Sequence, residues 1–158
     1  MITDLHIRLA TSSDAPEIAD MSRQYIEYGL PWRWTATKVS RAIFNSTTNV
    51  AVAREGNQLT AFGIMEYHDE HAHLCLFAVH TVYRQRGIGS QLLAWLERVA
   101  IDSGVAVIRL EARAENGAAR AFYRKHGYAE IAQIPGMYLQ IADGVRFEKR
   151  LRAAQDAR

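Results

Sequence analysis

The chain has 158 residues, 49% hydrophobic and 23% charged, with a formal net charge of +2 at pH 7. That length suits one domain around one core, and the small, interspersed charge excludes the basic stripe of a nucleic-acid binder. One cysteine, Cys75, excludes an intrachain disulfide framework; the longest apolar run, Leu74 to Val79, is too short to span a membrane, and polar residues near the start (Asp4, His6, Arg8) leave no signal-like segment, so a cytoplasmic protein is expected.

His6 to Leu9 is predicted as a first strand. Thr11-Ser12-Ser13-Asp14, with Glu17 three residues beyond Asp14, then opens a helix carrying Ile18, Met21 and Tyr25 on one face and stopping near Gly29 and Pro31. An irregular aromatic segment, Tyr28 to Trp34, leads to a shorter helix over Thr37 to Phe44. Strands over Asn49 to Arg54 and Leu59 to Tyr67 flank a Glu55-Gly56-Asn57 turn, and a second hairpin through His68 to His71 enters a strand ending near His80. A helix from Gly87 to about Ser103 carries Leu92, Leu93, Leu96 and Val99 at helical spacing and stops at Gly104. Strand Val107 to Ala112, helix Asn116 to Lys125, and strands Tyr128 to Ile134 and Arg146 to Leu151 complete a βααβββαβαββ order. This is an α/β (α+β) class, with a mixed sheet of about seven strands, about four helices, and a parallel step between the strands ending at His80 and Ala112. Residues 1–151 are expected to form the domain, and Arg152 to Arg158 a disordered polar tail.

Between Leu74 and Gln91 an apolar strand runs into Arg84-Gln85-Arg86-Gly87-Ile88-Gly89-Ser90 and then a helix. A helix start offers unpaired N–H groups and the positive end of the dipole, Gly87 and Gly89 clear room for a pyrophosphate, and Arg84 and Arg86 bring charge to it. The turn lacks the Lys-Ser/Thr of a triphosphate loop and the third glycine of a dinucleotide fold. It resembles the Arg/Gln-x-x-Gly-x-Gly/Ala signature of the GNAT superfamily of acyl-coenzyme A N-acyltransferases. The stretch from Val107 to Tyr128, with Asn116, Phe122-Tyr123 and Gly127-Tyr128, is similar to the second half of that family, and the likeness spans most of the chain loosely.

The resemblance implies acetyl-CoA as co-substrate, a sheet that splays at its parallel strands, and N-acetyl transfer to an amine acceptor of unknown identity. It implies that Phe77-Ala78-Val79 carries a bulge whose free N–H groups bind the cofactor, with Arg84, Gln85, Arg86, Gly87, Ile88, Gly89, Ser90 and Asn116 as further contacts. Glu111, Asn116 and Tyr123 are spaced as in the ribosomal-protein alanine N-acetyltransferases, where the Glu is the general base and the Tyr the general acid. By strand alternation Arg109 and Arg113 share a face with Glu111, and by helical spacing Asn116 and Tyr123 face the same way. Glu66, on the preceding strand, is a rival base, and the sequence leaves both open. Arg33-Trp34-Thr35 and Pro135-Gly136-Met137-Tyr138 read as acceptor-side loops. His68, His71 and His73 are expected to project into solvent without a defined ligand set, so no metal is expected. No nucleic acid or membrane partner is expected, and the protein is taken as monomer or homodimer. A non-catalytic acyl-CoA-binding module and a nucleotide-binding protein are the competing readings.

Overall fold

The computed structural model describes residues 5–151; the expected C-terminal tail lies outside them. Strand β1 (Leu5–Leu9) is followed by a single 3-10 turn, Ser12–Asp14, and helices α1 (Ala15–Tyr25) and α2 (Ala36–Phe44). Strands β2 (Thr48–Glu55), β3 (Gln58–Tyr67) and β4 (His71–Val79) precede α3 (Ile88–Ser103), and then come β5 (Val107–Arg113), α4 (Gly117–Lys125), β6 (Ala129–Tyr138) and β7 (Ala142–Arg150). The expected element order is observed. The seven strands form one sheet in the order β1-β2-β3-β4-β5-β7-β6, antiparallel except at β4·β5.

Each face of the sheet buries its own apolar set. Met65, Ala72, Leu74, Ile108, Leu110 and Phe147 pack under α3 and α4, whereas Val50, Phe62, Ile64, Leu76 and Ala78 pack under α1 and α2. In β4, Leu74 and Leu76 therefore lie on opposite faces although two residues apart. The cause is a bulge: Ile64 pairs with Leu76 but Met65 with Leu74, so Cys75 is an extra residue on β4 and switches every later side chain to the other face. The resemblance put this bulge at Phe77 to Val79; it falls two residues earlier.

Asp14, only 2% exposed, ties β1 and β2 to the start of α1. It accepts from Arg8 Nη1 at 2.8 Å, Thr11 N at 2.8 Å and Arg54 Nη2 at 2.8 Å. Burial would push its carboxyl up, but Arg8, the Thr11 N–H and Arg54 overcome this and hold it well below its ordinary range. Asp14→Ala is expected to cost about 3 kcal/mol, the low end for breaking a buried pair because Arg8 stays half exposed. Denaturant midpoints test this. Because the folded-state pKa is depressed, Asp14's contribution is present above the unfolded value near 3.8 and is lost as pH falls through the folded one.

The β6–β7 hairpin is longer than its sequence suggests. Pro135 to Tyr138 belong to β6 rather than to a loop, with an irregular register between Ile134 and Tyr138. The turn falls at Leu139-Gln140, both at positive φ (56° and 64°).

Candidate active site

Strands β4 and β5 pair only from His71↔Val107 to Leu74↔Leu110. Beyond that they separate, as expected for the resembled fold. His80 N donates to Thr60 O across β3, so the alternation of an antiparallel ladder turns the N–H groups of Phe77 and Val79 to the other edge, where β5 has moved away. Splaying, with the upstream bulge setting the phase, exposes these donors. Arg84 closes part of the edge, its Nε donating to Val79 O at 3.0 Å and its guanidinium lying 5.0 Å from the Tyr25 ring.

The turn that follows is built for an anion. Gln85 and Gly87 both have positive φ (64° and 80°), and Gly87 caps α3, so successive backbone amides converge at a helix start. Gly89 lies where a Cβ would sit 3.1 Å from Val79 Cγ2 and 3.4 Å from the Phe122 ring; glycine lets α3 approach β4. Together with the N-terminal turn of α4, these elements enclose an open cleft of about 640 Å³. Phe77, Ala78 and Val79 form one wall; Arg84, Gln85, Gly87, Gly89 and Ser90 form the second; Asn116, Phe122 and Tyr123 form the third. Asn116 also caps α4, accepting from Ala119 N at 3.0 Å, so its cap role and its place at the cleft are compatible. Ser90 Oγ is bonded to His126 Nε2 at 2.9 Å.

Two expected cofactor contacts are not at the cleft. Arg86 turns to Glu55 Oε2, 3.4 Å away, and to the Tyr83 ring. Ile88 is 4% exposed and fills the core beneath α3; an apolar residue entering a helix from a turn packs inward.

Tyr123 is buried, its ring wedged among Phe77, Phe122, Tyr128 and Phe147. Its hydroxyl meets no hydrogen-bond partner among the described residues, yet the residue lines the cleft. A buried, unsatisfied hydroxyl is rare in a native fold and points to an absent partner. Burial pushes the phenol well above its ordinary value, so it holds its proton at neutral pH.

Glu111 and Glu66 lie outside the cleft walls, on the α1–α2 face of the sheet. Glu111 is not balanced by its strand neighbours as alternation suggests. Arg109 pairs with Glu148 at 2.6 Å, and Arg113 donates to the carbonyls of Ile26 and Tyr28 while stacking 3.8 Å over the Tyr28 ring. The partners of Glu111 are His73 Nε2, 2.7 Å from Oε1, and Arg146 Nε, 3.0 Å from Oε2. Burial raises its carboxyl, but His73 and Arg146 outweigh this and hold it below its ordinary value. The same hydrogen bond, accepted by Glu111, raises His73, against burial. Tyr138, the expected acceptor-side residue, has its phenol pushed up to about 12 by burial and by Glu111. Glu66 is more open, 42% exposed, and its closest basic neighbour is His68 at 3.9 Å.

Sequence reasoning missed His73, Arg146, Arg113 and Glu27. His73 reads as one of a solvent cluster, but only His68 and His71 keep that company, stacked 4.6 Å apart. His73 instead stands beside Cys75 and Glu66, the donor atoms of all three within 4.8 Å of one another. His73 thus does not project into solvent with the other two, and a cysteine and an acid stand beside it. Glu27, 8% exposed, organises the aromatic segment after α1: Ser22 Oγ donates to it at 2.6 Å, Arg33 N at 2.6 Å and Trp34 N at 3.3 Å. Glu27→Ala would orphan these donors at a cost of about 1–3 kcal/mol. The loop bonded to Arg113 would loosen, which amide hydrogen exchange over residues 26–35 would show as faster exchange.

Residues 15–128 match the model of the Acetyltransferase (GNAT) family, and the chain belongs to that family. Among similar proteins is an uncharacterized protein of Mycobacterium leprae, 31% identical over 134 residues, covering 81% of this chain and 35% of that protein. Another is the [ribosomal protein bS18]-alanine N-acetyltransferase of Escherichia coli K12, 36% identical over 90 residues, covering 57% of this chain and 60% of that enzyme. The matched regions thus span less than two thirds of either relative. The fold is shared with the PaiA N-acetyltransferase of Thermoplasma acidophilum, solved in complex with coenzyme A, at a TM-score of 0.79 and 20% identity over 93% of this chain and 99% of that one.

Proposed function

We propose that the protein transfers the acetyl group of acetyl-CoA to a primary amine, either a protein N-terminus or a small-molecule amine. The observation that carries this reading is the cleft: an unpaired strand edge, an anion-binding helix start and an orphaned tyrosine hydroxyl converge on it. A cleft of about 640 Å³ is in the range of cofactor sites. The amides of Gln85 to Gly89 would hold the pyrophosphate, and the N–H groups of Phe77 and Val79 would take the pantetheine and the thioester carbonyl.

When bound, acetyl-CoA supplies an activated carbonyl; the amine nitrogen forms the new C–N bond as the C–S bond breaks. The N–H donors of β4 stabilise charge on the carbonyl oxygen. Glu111, kept ionised by His73 and Arg146, attracts the ammonium from the α1–α2 side and accepts its proton through water. Tyr123 serves the departing sulfur. Proton transfer from a phenol of pKa about 10 to a thiolate of pKa about 8.5 is uphill by roughly 2 kcal/mol, and burial adds to this. Tyr123 therefore acts first as a hydrogen-bond donor to the developing thiolate, completing transfer as the product leaves and regaining through water the proton that the acylated nitrogen loses. Glu66, on the same face, is assigned the lesser role of drawing the cationic acceptor.

The test is turnover. An alanine-terminated peptide, a polyamine, a free amino acid and an aminoglycoside are each incubated with acetyl-CoA, with thiol release and product mass as readouts. Acetylation of at least one amine supports the reading. Binding of acetyl-CoA without turnover of any amine would favour the non-catalytic module instead.

A further inference from the structure

On the α1–α2 face of the sheet, Glu66, His73 and Cys75 present a carboxylate, an imidazole and a thiol within 4.8 Å of one another. These donors come from adjacent strands, with Glu66 opposite His73 in the β3–β4 ladder and Cys75 supplied by the β4 bulge. From this juxtaposition we infer a binding site for a divalent zinc ion, held by Glu66, His73 Nδ1 and Cys75 Sγ, with a fourth position open to water.

Two features of the geometry support a metal. First, Cys75 Sγ lies 3.5 Å from His73 Nδ1. Tetrahedral zinc with bonds of about 2.3 Å to sulfur and about 2.05 Å to nitrogen needs an S···N edge of roughly 3.6 Å. The two ligands are already spaced for one ion, and Glu66, long and 42% exposed, can close on it by side-chain rotation. Second, His73 Nε2 is bonded to Glu111 at 2.7 Å and Glu111 in turn to Arg146 at 3.0 Å. With Nε2–H donating to the carboxylate, the Nδ1 lone pair is free and aimed at Cys75. A carboxylate behind a ligating histidine is the usual support of a zinc site. A bound dication takes the Cys75 sulfur as thiolate.

The donor set selects among metals. Soft thiolate with imidazole excludes magnesium and calcium, which take oxygen ligands, and suits zinc or its spectroscopic stand-in cobalt(II). The functional consequence rests on the acetyl-transfer reading: zinc would occupy Glu66 and place positive charge beside Glu111, where the cationic amine must arrive. Inhibition would then be competitive with the amine and not with acetyl-CoA.

Cobalt(II) titration of the metal-free protein tests the site directly. One equivalent is expected to produce thiolate-to-metal charge-transfer absorption, displaced by zinc and absent in Cys75→Ser. Glu111→Gln should weaken cobalt binding by about 10–100-fold, and Glu66→Gln by about tenfold or more. In acetyl transfer, zinc should raise KM for the amine in the wild type and leave Cys75→Ser unaffected, that variant keeping basal turnover. No thiolate band, or a band of unchanged affinity in both Glu66→Gln and Glu111→Gln, would overturn the proposal. If the metal-free protein acetylates no amine, the catalytic reading fails while the cobalt spectrum still decides the site.

Discussion

Tyr123→Phe is expected to lower kcat by about 10²–10³-fold while leaving KM for acetyl-CoA within about threefold. The substitution removes one oxygen and keeps the ring that packs against Phe77, Phe122, Tyr128 and Phe147. Among the described residues the hydroxyl has no hydrogen-bond partner to lose, so stability should hold or rise slightly, since burying an unsatisfied hydroxyl is costly. A loss confined to kcat would mean that the hydroxyl acts on the departing sulfur. Unchanged turnover would make Tyr123 a core residue, and the cleft would have to hold a different proton donor. Steady-state kinetics with thermal melts on the same preparation separate these outcomes.

Glu111→Gln is expected to lower kcat/KM for the amine by about 10²-fold, against less than about tenfold for Glu66→Gln. Both variants keep the side-chain shape, so the comparison isolates charge and basicity. Glu111→Gln also has a signature outside catalysis. The hydrogen bond that Glu111 accepts raises His73 above its ordinary value, so in the variant the His73 imidazole should titrate lower, as NMR of its ring protons can follow. The effect on stability has a defined sign. His73, with a raised folded pKa, contributes fully below about 6.5, and this is lost as pH rises through the folded value. Glu111, with a lowered one, contributes above about 4.5, and this is lost as pH falls through its folded value. The pair therefore supports the fold most between these values. The stability gap between wild type and Glu111→Gln should be wider near pH 6 than at pH 9, where Arg146 alone remains charged beside the carboxylate.

Particular residues explain how much of this was legible in the sequence. The cleft's anion-binding wall was readable because Gly87 and Gly89 leave a mark wherever a helix must start at positive φ and press against a strand. Asn116 and Tyr123 were placed together because helical spacing is reliable over two turns. The β4 bulge left no such mark: Ala72, Leu74, Leu76 and Ala78 alternate with polar or intermediate positions without a break, so burial alone does not reveal that the faces exchange at Cys75. The partners of Glu111 were hidden for a related reason. His73 and Arg146 reach it across strands that are distant in sequence, and alternation along β5 offered only Arg109 and Arg113. Pro135 and Gly136 read as loop residues, yet β6 is an edge strand, where a proline without an N–H breaks no ladder. Gly136 N instead donates to Asp143 Oδ1 at 2.7 Å. Arg86 belonged to the motif by position, but its neighbours Glu55 and Tyr83 draw it away.

The central claim is that the cleft between β4, α3 and α4 holds coenzyme A. Thermal melting of the protein with acetyl-CoA, coenzyme A and ATP in parallel tests it most directly. A ligand at 100 times its Kd adds about 2.7 kcal/mol and should raise Tm by several degrees. A shift with both coenzyme A species and none with ATP is the expected result. No shift with either coenzyme A species, or an equal shift with ATP, would contradict it: the glycine turn would then serve the fold or a nucleotide, and the acetyl-transfer reading would lose its basis.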